Sequence, residues 1–275
     1  MGNIKGVFEA TKKDGTKYYR ASLTYLGKHI SLGSFLVQTD AGKAVEIADE
    51  ILNNPNITID SFINDYHDIL ASDTDSFISL DKVISLINYR DNKIYIANPI
   101  YIYNKYFYYY LSVDKILKFD ADELFFYSSH KIMYRGNHLF VSDYDSQINI
   151  LSRYGIRPHS ILGKDYLFKN GDRYDFRITN IEIVNKYYGV SKLKKRSKKS
   201  YKAVIHIKNN FTIGYYESPI IAAIAYNKAA DILNKKGYSK EYPRNDISIM
   251  GITKLSYIDT YNSVNISEKI RNMSF

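Results

Sequence analysis

The sequence predicts an α+β protein in which two small modules, each a three-stranded antiparallel sheet with one helix, flank an aromatic-rich α+β region. Three observations lead there. One segment occurs twice, near each end of the 275-residue chain. Both copies alternate apolar and polar residues with the period of a strand, then switch to a helical stripe. Between them lie Tyr-rich runs of the kind that favour strands.

The first copy runs from Gly6-Val7 through Tyr19-Arg20-Ala21 and Leu32-Gly33-Ser34-Phe35 to Ala44, Ala48 and Leu52. The second runs from Gly189-Val190 through Tyr201-Lys202-Ala203 and Ile213-Gly214-Tyr215-Tyr216 to Ala225, Ala229 and Leu233. The offset drifts only from 183 (Gly6 to Gly189) through 182 (Tyr19 to Tyr201) to 181 (Gly33 to Gly214), so single-residue insertions separate the copies. Such a repeat is a duplicated module, and one kind of surface used twice suits an extended polymeric ligand.

In the first copy Tyr19, Ala21, Leu23 and Tyr25 alternate with Arg20, Ser22 and Thr24, a strand with one buried and one wet face. A turn at Gly27-Lys28 leads to a return strand in which His29 and Ser31 oppose Ile30 and Leu32. Thr39 is the expected cap of a helix whose apolar stripe is Ala41, Ala44, Val45, Ala48, Ile51 and Leu52. The second copy repeats that stripe as Ala222, Ala225, Tyr226, Ala229, Ile232 and Leu233, with Ser218 as cap and Pro219 at the first helical position. Each sheet covers its apolar face with its helix and keeps its other face polar and free.

Charge is unevenly placed. The net +9 divides as +1 over residues 1–54, −5 over 55–125, +2 over 126–185 and +11 over 186–275. Its centre is Lys192, Lys194, Lys195, Arg196, Lys198, Lys199 and Lys202, without an acid among them. A basic run is often a solvated loop, but this one falls between the first two strands of the second copy, which suits a phosphate-contacting loop. The chain has no Cys, hence no disulfide and no Cys-based zinc site. It has no apolar run near the ~18 residues of a membrane helix, and Met1-Gly2-Asn3-Ile4-Lys5 lacks the apolar core of a signal peptide. The expected location is cytoplasmic, with no membrane partner and no cofactor. Abundant Tyr, Asn, Ile and Lys, all with AT-rich codons, point to an AT-rich genome or one of its phages.

In the acidic 55–125 region, Asp60-Ser61-Phe62-Ile63 and Leu80-Asp81-Lys82-Val83-Ile84 predict short helices, and Ile100-Tyr101-Ile102-Tyr103 and Tyr106 to Leu111 predict strands. The Tyr runs suit a half-buried aromatic sheet better than a base-stacking surface.

The repeated segment resembles the Apetala-type DNA-binding domain of plant ethylene-response factors and phage homing endonucleases. The shared elements are the Gly-Val start, the aromatic-basic-Ala strand, the Leu-Gly-x-Phe turn and the Ala-rich helix with Tyr226-Asn227-Lys228-Ala229-Ala230, over roughly 4–54 and 187–237. The resemblance implies that the sheet lies in the DNA major groove with the helix behind it. It places Arg20, Ser22, Thr24, His29 and Ser31 toward the groove in the first copy, and Lys202, Val204, His206, Asn210 and Thr212 in the second. The family's reading strands are usually rich in Arg, whereas the first sheet here has one and the second none, so strong sequence specificity is not expected.

Asn170-Gly171-Asp172 through Val184 resembles the second half of an HNH homing endonuclease core, in which an Asn-Gly loop precedes a short helix; such a core commonly precedes an Apetala-type module. The family's Asp-His pair falls on Leu167-Phe168, its helix Asn on Phe176, and its earlier His near Asn149-Ile150-Leu151. These residues cannot hold metal or move a proton. Asn180 survives, with Asn170, Asp175 and Arg177 beside it, as a degenerate core with no catalytic or metal residue assigned. His159 with Asp165, Asp172 or Asp175 is the alternative, a rearranged metal site.

The expected organisation is a module at 1–54, the acidic region at 55–125, a degenerate HNH-like ββα core at 126–185, a second module at 186–237, and a C-terminal extension at 238–275 that packs on that module or frays. The leading expectation is a non-catalytic, double-stranded DNA-binding protein descended from an HNH homing endonuclease, acting as a phage transcription regulator. The alternatives are a phage inhibitor of a host defence nuclease, a metal-dependent endonuclease, and an RNA ligand in place of DNA.

Overall fold

The computed structural model describes residues 4–72, 77–136, 138–143, 146–158, 160–193, 198 and 200–274. It is an α+β protein of small three-stranded antiparallel sheets and helices. The chain forms two compact units: Met1–Gly155 with Phe168–Ile181, and Ile156–Leu167 with Glu182–Phe275. No helix among the described residues is long and apolar enough to cross a membrane.

Unit 1 begins with β1 (Val7–Thr11), β2 (Lys17–Tyr25) and β3 (Lys28–Phe35), paired in chain order. The β2–β3 turn is Leu26-Gly27, both at positive φ, the backbone that follows strand twist in a two-residue hairpin. Lys28, expected in the turn, already pairs with Tyr25. α1 (Gln38–Asn53) buries Ala41, Ala44, Ala48, Ile51 and Leu52, while Val45 is half-buried. Thr39 is not its cap: the helix starts a residue before it, Val37 occupies the cap position without a side-chain bond, and Asp40 complements the dipole in the first turn.

The short helices expected at 60–63 and 80–84 are longer, α2 (Ile59–Ser72) and α3 (Leu80–Asn92). Phe62, Val83, Ile84 and Leu86 join the apolar core of the first module, which therefore extends well past residue 54. Buried Arg90 locks α3 to the end of α1, its Nη1 donating to the carbonyls of Ile51, Asn54 and Ile57 at 2.8–2.9 Å. Those carbonyls lie at and beyond the helix terminus, where the intrahelical ladder leaves acceptors open.

The aromatic runs form β4 (Ile100–Ile102), β5 (Tyr106–Ser112) and β6 (Lys115–Asp120). Phe107, Tyr109, Leu117 and Phe119 are buried, and Tyr103, Tyr106 and Tyr108 are partly exposed with ring centroids 5.0–5.5 Å apart. Lys118 Nζ lies 3.9 Å from the Tyr106 centroid, so this tyrosine face is already engaged with itself and a cation. α4 (Leu124–Ser129) and the sheet β7 (Ile132–Arg135), β8 (His138–Asp143), β9 (Ser146–Asn149) follow. β10 (Tyr166–Phe168) and β11 (Ile181–Ile183) then form a two-stranded ribbon.

Unit 2 holds the second copy: β12 (Val190–Lys192), β13 (Tyr201–His206), β14 (Asn210–Tyr216) and α5 (Pro219–Lys235). Ser218 caps α5 by accepting from the Ile220 N–H, and Pro219 opens it, as expected. The C-terminal extension forms α6 (Ile247–Met250), α7 (Lys254–Ser263) and α8 (Glu268–Arg271) and packs on the module. Asn227 on α5 is the anchor: its Nδ2 donates to the Asn245 carbonyl at 2.9 Å, and its Oδ1 accepts from the Asn245 N–H at 3.0 Å. Ser267 N donates to the Ile213 carbonyl and Tyr216 to that of Asn265, so the extension also occupies the open edge of β14.

The repeat is legible in backbone detail. Gly6 and Gly189 both have positive φ, 80° and 67°, and their carbonyls accept from Ser22 N and Val204 N. A Cβ on Gly6 would lie 2.5 Å from the Ser22 oxygen; one on Gly189 would lie 2.4 Å from the Val204 oxygen and 2.3 Å from the Tyr226 ring. Each sheet has a bulge at the same step, after Ala21 and after Ala203. The single-residue insertions fall in the β1–β2 and β2–β3 connections, where an added residue does not change which face a side chain takes.

Candidate functional site

Strand register decides what each sheet presents away from its helix. In the second module the outward residues are Lys202, Val204 and His206 on β13, facing Tyr215, Thr212 and Asn210 on β14, with Ser191 opposite Lys202 on β12. Ala203, Ile205, Ile213 and Tyr216 point into the core. The five positions expected toward a groove therefore share one face. Tyr215, 47% exposed, joins them because the bulge takes up Ile213 as an extra residue and reverses the alternation after it. His206 Nδ1 lies 3.0 Å from Asn210 Oδ1, the two being direct cross-strand partners.

This face borders a concavity of about 510 Å³ whose other wall comes from Arg157, Pro158, Ser160, Lys164 and Asp165 of the same unit. Arg157 and Lys164 line that wall opposite Lys202, His206, Asn210 and Thr212. Arg157 is held by two backbone carbonyls, Asn185 at 2.9 Å and Tyr187 at 2.8 Å, and its guanidinium carbon sits 4.4 Å from the Tyr188 ring centroid. It has no carboxylate partner, and its buried Nη1 has no hydrogen-bond partner. Burial pulls its pKa down, the cost of desolvating a cation, and the opposing charges around it, Asp165 among them, do not offset that. Asp165, the acid in the lining, accepts from Ile161 N at 2.8 Å and Asn185 Nδ2 at 2.9 Å. Among the described residues Lys164 and Lys202 make no ion pair.

The equivalent depression of the first module, about 690 Å³, is lined by Gly6, Ser22, Thr24 and His29 but also by Ile4, Phe8, Glu46 and Asp49. Ser22 lines this depression but is only 7% exposed. Arg20 is outward, yet its guanidinium donates to the Tyr18 hydroxyl at 2.6 and 3.1 Å and lies back along its own strand. Ser31, opposite Ser22, is exposed.

Of the basic run, Lys192 ends β12 with its side chain exposed, and Lys198 makes an exposed contact with Glu217 at 3.8 Å. Lys194, Lys195, Arg196, Lys199 and also His159 lie outside the described residues.

The residues of the expected degenerate core do come together, as a closed knot. Buried Asp175 accepts from Arg177 Nε at 2.9 Å and Nη2 at 2.6 Å, and from Asn170 Nδ2 at 2.9 Å. Asn180 Nδ2 donates to the Asp175 carbonyl at 2.8 Å, and its Oδ1 accepts from Asn170 N at 2.9 Å. Burial alone raises the Asp175 pKa, but the Arg177 and Asn170 hydrogen bonds and the Arg177 charge hold it below the ordinary carboxylate value. Phe176 lies in the core against Phe119 and Phe168, with centroids 5.4 and 5.7 Å away. Residues 172–180 form turns and a single bridge to Lys118 where the HNH resemblance implies a short helix; Asn170 and Asp172 side chains bond the backbone two residues on and hold turns instead. Among the described residues no three of His, Asp and Glu gather as a metal set, and Asp165, Asp172 and Asp175 are each bonded locally.

No family model, curated protein or solved structure matches this chain.

Sequence reasoning missed Arg157, Lys164 and Tyr215. The first two lie outside the repeat, and nothing in their spacing signals that 157–165 borders the sheet of the same unit. Tyr215 was readable, because each copy has an aromatic residue two places after the glycine, Phe35 and Tyr216, and a core position there puts the residue between on the outer face.

Proposed function

We propose that this chain is a non-catalytic double-stranded DNA-binding protein, derived from an HNH homing endonuclease, whose main contact surface is the outer face of the second module. One observation carries this reading: Lys202, Lys164 and Arg157 line a single concavity beside a polar sheet face with one acid, Asp165, and among the described residues none of the three forms a salt bridge. The basic run from Lys192 to Lys199 joins the first two strands of the same sheet and adds charge to it. Contacts of this kind position a phosphate backbone and carry little sequence information. The Asp175 knot supports the non-catalytic part, since its acceptors are taken up by Arg177, Asn170 and backbone N–H groups.

The test is binding of the full chain to random-sequence duplex DNA over a salt series with Mg²⁺ present, products being checked on a gel. Binding should weaken linearly in log affinity against log salt, by about 0.9 for each phosphate neutralised, and the DNA should stay intact. Replacing Lys194, Lys195, Arg196, Lys198 and Lys199 by Gln should weaken binding to every sequence and flatten the slope. Cleavage overturns the non-catalytic reading, and no binding at low salt overturns DNA as ligand.

A further inference from the structure

We propose that the concavity of unit 2 is a site for one phosphate group, held between Arg157 and Lys164 on one wall and Lys202 on the sheet. The inference rests on the DNA reading only for the source of that phosphate. Its physical ground is the state of Arg157. The guanidinium is fixed by the carbonyls of Asn185 and Tyr187 and by the Tyr188 ring; Asp165 acts on it through charge, and among the described residues it forms no salt bridge. A partly buried cation with a donor left unpaired is costly, and a bound anion is the usual resolution of such an arrangement. Asp165, the acid of the lining, favours the cation by its charge, but its oxygens accept from Ile161 N and Asn185 Nδ2, which leaves room for a bound anion to complete the neutralisation.

The chemistry of the lining selects among anions. Three cations line one concavity where one would serve a carboxylate, and Ser160, Ser191 and Thr212 of the same lining carry hydroxyls that suit a tetrahedral group. A volume of about 510 Å³ admits a nucleotide-sized group. The Tyr188 ring already carries Arg157 on its face, and Lys202 Nζ lies 5.9 Å from the Tyr215 centroid, so both of these rings are engaged with cations. The wall at 157–165 comes from outside the repeated segment, so the first module has no counterpart to it.

The probe is inorganic phosphate, titrated against the full chain at constant ionic strength with chloride as the balancing anion and thermal unfolding as the readout. At about ten times its dissociation constant, phosphate should raise Tm by roughly 3 °C. Lys164→Gln and Lys202→Gln should each remove most of that rise, while Lys208→Gln, an exposed lysine of the same unit outside the concavity, should leave it intact. The same variants are then assayed on duplex DNA. Loss of both phosphate and duplex binding in Lys164→Gln and Lys202→Gln assigns the site to a backbone phosphodiester. Loss of phosphate binding alone, with no duplex bound by the parent chain, keeps the site and assigns it to a free phosphate or nucleotide. Phosphate no more stabilising than chloride overturns the proposal, even if duplex binding persists.

Discussion

In the first module Arg20 is bonded to the Tyr18 hydroxyl and stands opposite Ser34; in the second, Lys202 takes the same ladder position opposite Tyr215 and makes no ion pair. Thr24 and His29 correspond to His206 and Asn210, and the depression that contains them is closed by Phe8, Glu46 and Asp49 in one copy and by Arg157 and Lys164 in the other. Behind these faces the copies agree: the glycine under the first strand, the bulge after the buried Ala, and the small residues of the helix stripe. What packing requires has been retained, and what faces outward has diverged. The shared backbone explains two folds; the charges explain one site.

The largest effect tests that shared backbone. Gly189→Ala places a methyl within 2.4 Å of the Val204 oxygen and 2.3 Å of the Tyr226 ring, at positive φ. Combining the left-handed backbone cost with overpacking gives a loss of about 3 kcal/mol. Gly6→Ala meets the Ser22 oxygen at 2.5 Å and should lose a similar amount, slightly less because its other neighbour is a Val45 methyl at 3.2 Å. Urea unfolding measures both. A neutral Gly6→Ala would break the equivalence of the copies.

The next separates how the helices are held. Asn227 is buried and exchanges two bonds with Asn245, whereas Glu46, at the same helix position in the first copy, is exposed. Asn227→Ala leaves the Asn245 N–H and carbonyl without that partner and should cost about 2–3 kcal/mol, while Glu46→Ala should stay within about 0.5. Equal losses would mean that the extension is not what anchors α5.

Those two glycines and the two Ala-rich stripes were open to a sequence reader because a repeat doubles each weak signal and fixes the register. The long reach of α2 and α3 was not, since no repeat marks their ends, although Thr58 and Ser79 cap them alike by accepting from Ser61 N and Lys82 N. The candidate site was half legible. The resemblance placed Lys202, His206, Asn210 and Thr212, whereas Arg157 and Lys164 reach the site through tertiary packing within unit 2, which local patterning does not encode. The Asp175 set was found by resemblance, and its closed bonding shows why polar residues can persist in such a loop for structure alone.

That closed knot sharpens the contrast with the open cations of unit 2. Because its folded pKa is depressed, Asp175 contributes stability above the unfolded carboxylate value near 3.9, and the contribution is lost as pH falls through the lower folded value. Asp175→Asn should cost about 2 kcal/mol at neutral pH by removing the Arg177 pair. The difference from the parent chain should shrink as the pH is lowered below 4. DNA affinity should not change; a loss there would tie the knot to binding.

The smallest effect on stability is also the sharpest comparison of the two faces. Arg20→Gln and Lys202→Gln each remove one positive charge from the same ladder position, so any general effect of net charge on DNA attraction is shared. Neither side chain makes an ion pair, and both changes should move stability by less than about 0.5 kcal/mol. What differs is the neighbourhood. Arg20 is folded onto Tyr18, and the depression of its module holds Lys5 with Glu46 and Asp49, whereas Lys202 borders one that holds Arg157 and Lys164 with a single acid, Asp165. If the second face holds the phosphate backbone, Lys202→Gln lowers the slope of log affinity against log salt by about 0.9, and Arg20→Gln leaves it where it was. Matching slopes in the two variants would mean that the faces contribute alike, and the asymmetry of charge between the copies would then have no part in binding.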